Sequence, residues 1–199
     1  MLSKTCLAAA ALAHIVNAGF KVGNGEFNLR YIPETEQVEF KVTLYKGSWV
    51  GLVPGQGDMT KRGDMLLFFE DDHNSYFADY HSIGFEAPKL DMDSQDLYKD
   101  PTQPTAFDGW YTTLVALRAL DTGDEHDWII PLDEPFTMGY ANKEHQNSLL
   151  YCTKHEHAGS VEITLKSDGT PVFGDTPVEA KEAEELSFIE KIFSAITQE

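Results

Sequence analysis

The chain predicts an all-β protein, an antiparallel β-sandwich followed by one C-terminal amphipathic helix. Three observations carry this reading. Apolar and polar residues alternate with period two in several runs, the runs are short and separated by turn-forming residues, and helical spacing stands out in only one stretch, near the C-terminus.

The first 18 residues read as a secretory signal peptide. Met1-Leu2-Ser3-Lys4 is a short positive start, an apolar stretch rich in Ala and Leu runs from Cys6 to Val16, and Val16-Asn17-Ala18 places small residues for cleavage before Gly19. The stretch is too short for a permanent membrane helix. Cleavage would remove Cys6 and leave Cys152 alone, so no intrachain disulfide is expected, and Cys152 reads as a small buried residue. Secretion and the absence of a membrane span from the mature chain follow as expectations.

The sandwich is expected over residues 19–170. Phe27, Leu29 and Tyr31 alternate with polar residues before a turn at Pro33-Glu34, and Val38, Phe40, Val42 and Leu44 alternate after it, which predicts a hairpin. Further strands are expected at 48–53, 64–69, 75–81, 111–120, 128–132, 136–141 and 161–166. Residues 86–109, with four prolines or glycines and many aspartates, read as a long ordered loop. The tail, 171–199, carries the helix: Thr176-Pro177-Val178-Glu179 resembles a capping box with Pro at the first helical position, and Leu186, Ile189, Phe193 and Ile196 then follow helical spacing opposite Glu182, Glu184, Glu185 and Glu190. Such a helix packs on its own sandwich or docks against another chain.

Charge narrows the partners. Fifteen basic against 33 acidic residues give a net charge of −18, which repels nucleic-acid phosphate and anionic lipid and favours basic proteins or cations. Neither a nucleic-acid partner nor a membrane-surface role is expected. No nucleophile elbow, phosphate loop or His-Glu-x-x-His helix is present, so the sequence offers no catalytic constellation and no enzyme activity is expected.

Four blocks, in order, resemble the DOMON family, which includes domains of dopamine β-monooxygenase relatives and cellobiose dehydrogenase cytochromes. The first is Trp49-Val50-Gly51-Leu52-Val53-Pro54-Gly55 with Asp58-Met59-Thr60 and Asp64-Met65. The second is Ala78-Asp79-Tyr80-His81-Ser82-Ile83-Gly84 with Pro88-Lys89-Leu90-Asp91 and Gln95-Asp96-Leu97. The third is Arg118-Ala119-Leu120-Asp121-Thr122-Gly123-Asp124 with Asp127, and the fourth is Tyr140-Ala141 with His155-Glu156-His157-Ala158-Gly159-Ser160. The blocks span roughly residues 25 to 166.

The resemblance implies an immunoglobulin-like sandwich that holds haem or, in some members, a sugar. It also implies that Met59 and His155 clamp the iron, a thioether and an imidazole that leave no open coordination site and suit electron transfer. Without a Cys-x-x-Cys-His sequence the group would be non-covalent haem b. A pocket of aromatic residues such as Trp49, Phe68 and Tyr140 would surround it. The protein would then be a soluble electron-transfer module with a separate redox partner, docked in one version through the C-terminal helix. The alternative is a binding module without haem that holds a carbohydrate or a protein subunit.

Other residues carry weaker signals. Met65 is a fallback ligand, although residues 64–69 read as a core strand. His155 and His157 could hold zinc or copper if His81 or His145 approached them. Asp91, Asp93 and Asp96 read as a turn-forming loop, and Asp121, Asp124 and Asp127 as turn residues.

Overall fold

A computed structural model describes residues 19–57, 63–71, 75–84, 86–92, 94–144, 154–174 and 178–179. Two sheets face each other. The first holds β1 (Phe20–Val22), β2 (Gly25–Ile32), β3 (Gln37–Tyr45), β8 (Tyr98–Lys99), β9 (Ala106–Phe107) and β10 (Tyr111–Ala119). The second holds β4 (Trp49–Pro54), β5 (Gly63–Glu70), β6 (Ser75–Ser82), β7 (Lys89–Leu90), β11 (Pro135–Lys143), β12 (His157–Leu165), β13 (Pro171–Phe173) and β14 (Val178–Glu179). Every strand pair among the described residues is antiparallel.

The period-two pattern decides which side chains meet. In β3 the alternation sends Val38, Phe40, Val42 and Leu44 inward, and all four are fully buried. They pack with Phe27 and Leu29 of β2 and, from the other sheet, with Leu52, Phe68, Val161 and Ile163. The predicted hairpin is β2–β3, with Arg30 opposite Glu39 and bonded to it at 2.8 Å.

Strands β4 and β5 depart from alternation: all six residues of β4 and seven of the eight in β5 are buried. One face joins the core between the sheets. The other face carries its own apolar layer of Trp49, Val53, Met65, Leu67 and Phe69, against which Tyr80 and Ala141 pack. A strand buried on both faces reads as a continuous apolar run, which is how 64–69 appears in the sequence.

Three expectations need correction. Residues 128–132 form no strand: Trp128 and Ile130 turn inward, but Pro131 has no N–H to give a ladder, and the segment is held by Ile130 N–H donating to the Leu120 carbonyl at 2.9 Å. The long loop at 86–109 contains the two-residue strands β7, β8 and β9. Val178 and Glu179, expected in the first helical turn, are extended and pair with Ser160 and Gly159. Beyond β13 the edge of β12 still has unpaired backbone groups, and a β-branched residue suits that edge better than a helix start. The rest of the predicted helix lies outside the described residues, as do the signal peptide and Cys152.

Candidate functional site

The predicted pocket residues divide between the two faces of the second sheet. Trp49 is opposite Phe69 and belongs to the outer apolar layer. Phe68 and Tyr140 point the other way, into the core between the sheets, where Phe68 packs on Phe77 and Tyr140 on Phe20 with ring centres 5.7 and 5.2 Å apart. These three aromatics therefore cannot line one slot. The period-two rule explains the split, because Val50 opposite Phe68 and Leu52 opposite Tyr140 are even-numbered neighbours of odd-numbered Trp49. Met65, the fallback ligand, packs in the same outer layer as Trp49.

Met59 lies outside the described residues, but the chain leading to it is placed. Gly55 has a φ of +73° and sits where a side chain would run into the Trp128 indole. Residues 56 and 57 then lie against the outer face of β11. A Cβ on Gly139 would stand 2.8 Å from the Gln56 carbonyl oxygen, and one on Gly57 would stand 3.6 Å from Ser160 Oγ. At the opposite end of that sheet, half-buried His155 leads into β12. Next to it Glu156 accepts from Lys143 Nζ at 2.6 Å and from the Glu144 N–H at 3.1 Å. Lys143 is directly opposite Trp49 across β4 and β11. The outer apolar layer is thus bordered at one end by the segment leading to Met59 and at the other by the segment carrying His155.

Within that layer the Trp49 indole N–H is buried and has no hydrogen-bond partner among the described residues. A buried donor left unpaired costs about 1–3 kcal/mol, so it is a place where an acceptor from a bound group would fit. The layer is itself largely covered, with Trp49, Val53, Met65, Leu67 and Phe69 all buried.

The 63/82 end of the sandwich holds a second, charged site. Arg118 is fully buried, and its Nη2 lies 2.8 Å from Asp64 Oδ2 and 2.9 Å from Asp127 Oδ2. The same nitrogen donates to the Trp128 carbonyl at 3.3 Å, while the Trp128 N–H donates to Asp64 at 3.2 Å. One guanidinium nitrogen thereby ties β5, β10 and the loop after β10 to the tryptophan that covers Gly55. Carboxylate oxygens of Asp64, Asp79 and Asp127 lie within 4.8 Å of one another.

Three carboxyls around one cation cannot all ionise cheaply in a dry site. Burial, reinforced by Asp127 and opposed by Arg118, pushes Asp64 up to about 7. Burial, then the charges of Asp64 and Asp127, pushes Asp79 up to about 8. Burial works to lower the Arg118 guanidinium, but Asp64 and Asp127 outweigh it and hold it above its ordinary value.

The sequence reading missed this cluster, yet a signal was present. Arg118 continues the inward stripe of Leu114 and Ala116, and Asp64 continues that of Leu66 and Phe68. A charge on an apolar stripe requires a buried partner. The His155/His157 metal site is not assembled with His81, since β11, β4 and β5 stand between β12 and β6. His81 instead meets His126 and Asp91.

The two sheets and their connections define an antiparallel sandwich of the kind found in cytochrome b domains. The chain is similar in fold to the cytochrome b domain of pyranose dehydrogenase from Coprinopsis cinerea, with a TM-score of 0.54, 14% identity, and coverage of 69% of this chain and 74% of that one. It is likewise similar to the cytochrome domain of Myriococcum thermophilum cellobiose dehydrogenase, with a TM-score of 0.54, 10% identity, and coverage of 73% and 77%. No family model and no curated protein matches the chain. The DOMON resemblance read from the sequence therefore holds for the fold. Among the described residues no helix is long and apolar enough to cross a membrane.

Proposed function

We propose that the protein is a haem b-binding electron-transfer module that works outside the cytoplasm after loss of residues 1–18. The observation that carries this reading is the outer apolar layer of β4 and β5, with the unpaired Trp49 N–H at the end beside the His155 segment. The fold likeness to two cytochrome domains supports it.

In this reading His155 and Met59 would hold the iron, and Trp49, Met65 and Leu67 would form an apolar floor. Phe68 and Tyr140 stiffen the sheet from behind. Bound haem would supply single-electron chemistry, while the apolar layer excludes water from one side and the Lys143–Glu156 ion pair anchors the backbone next to His155. A separate redox protein would be the partner, and a basic surface would complement the charge of −18.

An absorption spectrum tests the proposal directly. Purified protein supplied with haem should show a Soret band, and His155→Ala should remove it or leave a loosely held five-coordinate form. Trp49→Phe, which keeps the ring and removes the donor, should weaken haem affinity several-fold. A wild-type protein that stays colourless and takes up no haem would overturn the reading.

A groove on the outer face of the first sheet favours a second reading. Its volume is about 440 Å³, and Phe107 and Tyr111 lie in it beside Asn24, Glu26, Asp108 and Lys21. Exposed aromatic rings flanked by amide and carboxylate groups are the chemistry that holds a sugar. Haem-free protein that binds an oligosaccharide, with binding lost in Phe107→Ala, would favour this carbohydrate module.

A further inference from the structure

His81 and His126 are 45 residues apart in sequence and turn the same nitrogen toward the same oxygen. Each Nδ1 lies 3.6 Å from Asp91 Oδ2. The two rings stack with centres 4.8 Å apart and planes 18° from parallel. A charge-assisted hydrogen bond between imidazole and carboxylate would close to about 2.7–2.9 Å. Both Nδ1 atoms are shielded from water, and neither has a hydrogen-bond partner among the described residues.

The spacing does suit two donors sharing an ion. Bonds of about 2.0–2.2 Å to a tetrahedral centre hold neighbouring ligand atoms roughly 3.3–3.6 Å apart. The three ligand atoms lie within 4.8 Å of one another. Asp124 Oδ1, 3.3 Å from His126 Nδ1, accepts the His126 backbone N–H at 2.7 Å and so fixes the loop that presents this imidazole. Two protonated imidazoles stacked this closely would repel, and two neutral ones would leave both buried nitrogens unpaired. A cation resolves both costs.

We propose that His81, Asp91 and His126 bind a zinc ion. Two imidazole nitrogens select a borderline transition metal over calcium or magnesium, which prefer oxygen donors. The three ligands come from β6, from the residue after β7 and from the loop between β10 and β11, so the ion cross-links one edge of the second sheet to that loop. Asp79, on the same face of β6 as His81, and Asp127, next to His126, add negative charge around the cation. The site is independent of the haem reading, since Tyr80 opposite Met65 packs on the outer apolar layer while His81 opposite Asp64 takes the other face of β6.

The test is calorimetric titration of the full chain, stripped with chelator, with zinc chloride. The wild type should bind one equivalent saturably, and His126→Ala and Asp91→Asn should each raise Kd at least about tenfold. His157→Ala should leave Kd unchanged. X-ray absorption at the zinc edge, which bound haem does not obscure, should report two imidazole ligands in the wild type whether or not either variant folds. Absence of saturable zinc binding by the wild type, a zinc-edge spectrum without imidazole, or an unchanged Kd in a folded His126→Ala would overturn the proposal.

Discussion

At the scale of single residues, Arg118 shows how a buried charge is tolerated. It occupies a position that period two assigns to the core, and only the carboxylates of Asp64 and Asp127 make that burial affordable. Arg118→Ala would leave those carboxyls without their cation and should cost about 3–5 kcal/mol in chemical denaturation. Arg118→Lys should recover little, because a compact ammonium is more strongly hydrated than a guanidinium and costs more to bury beside both acids and the Trp128 carbonyl. The pH dependence has a definite sign. Asp64 and Asp79 rise to about 7 and 8 on folding, so folding takes up protons. The stability linked to these neutral carboxyls is fully present below about pH 4 and is lost as the pH climbs through 7 to 8. The melting temperature should therefore fall between pH 5.5 and pH 9 (roughly the window that linkage sets). Asp79→Asn, which stays neutral, should flatten that fall and exceed the wild type at the alkaline end by on the order of 2 kcal/mol. A wild-type melting curve that rises across the same window would contradict the raised carboxyls.

Among the elements, the contact between residues 56–57 and β11 is the most exposed to a single change. Gly139→Val places branched carbons where the Gln56 carbonyl now stands and should lower stability by about 1–3 kcal/mol, measured by denaturant unfolding. Under the haem reading it should also weaken the Soret band, because the displaced segment leads to Met59. The β2–β3 hairpin was legible because alternation and a Pro-Glu turn agree over many residues. The edge strands β13 and β14 were not, since three and two residues carry no readable period. For residues 178–179 the capping pattern of Thr176-Pro177-Val178-Glu179 pointed to a helix, and pairing with the open edge of β12 prevailed. The candidate site was legible in part. His155 lies just before β12, but sorting Trp49 from Phe68 and Tyr140 required knowing which face each occupies. His81, Asp91 and His126 could not be joined from the sequence, because only the fold brings the loop after β10 to the far edge of β6.

At the scale of the whole molecule, charge and topology set the behaviour. A net charge of −18 repels itself, so added salt should raise the melting temperature by a few degrees between roughly 10 and 150 mM ionic strength, as the screening length shortens. A melting temperature that falls with salt would mean that local ion pairs outweigh that repulsion. Two strand pairings that build the sandwich join distant segments: β4 pairs with β11 and β3 with β10. Such non-local pairing predicts slow folding, in milliseconds to seconds. The two-faced burial of β4 and β5 also sets an internal clock. Their amides can meet solvent deuterium only when packing on both sides of the sheet is given up, which amounts to opening the whole domain. Hydrogen exchange should therefore find Leu52, Val53, Leu66, Leu67 and Phe68 among the slowest amides, all converging on one rate, while Lys89, Tyr98 and Phe107 in the two-residue strands exchange by local fraying.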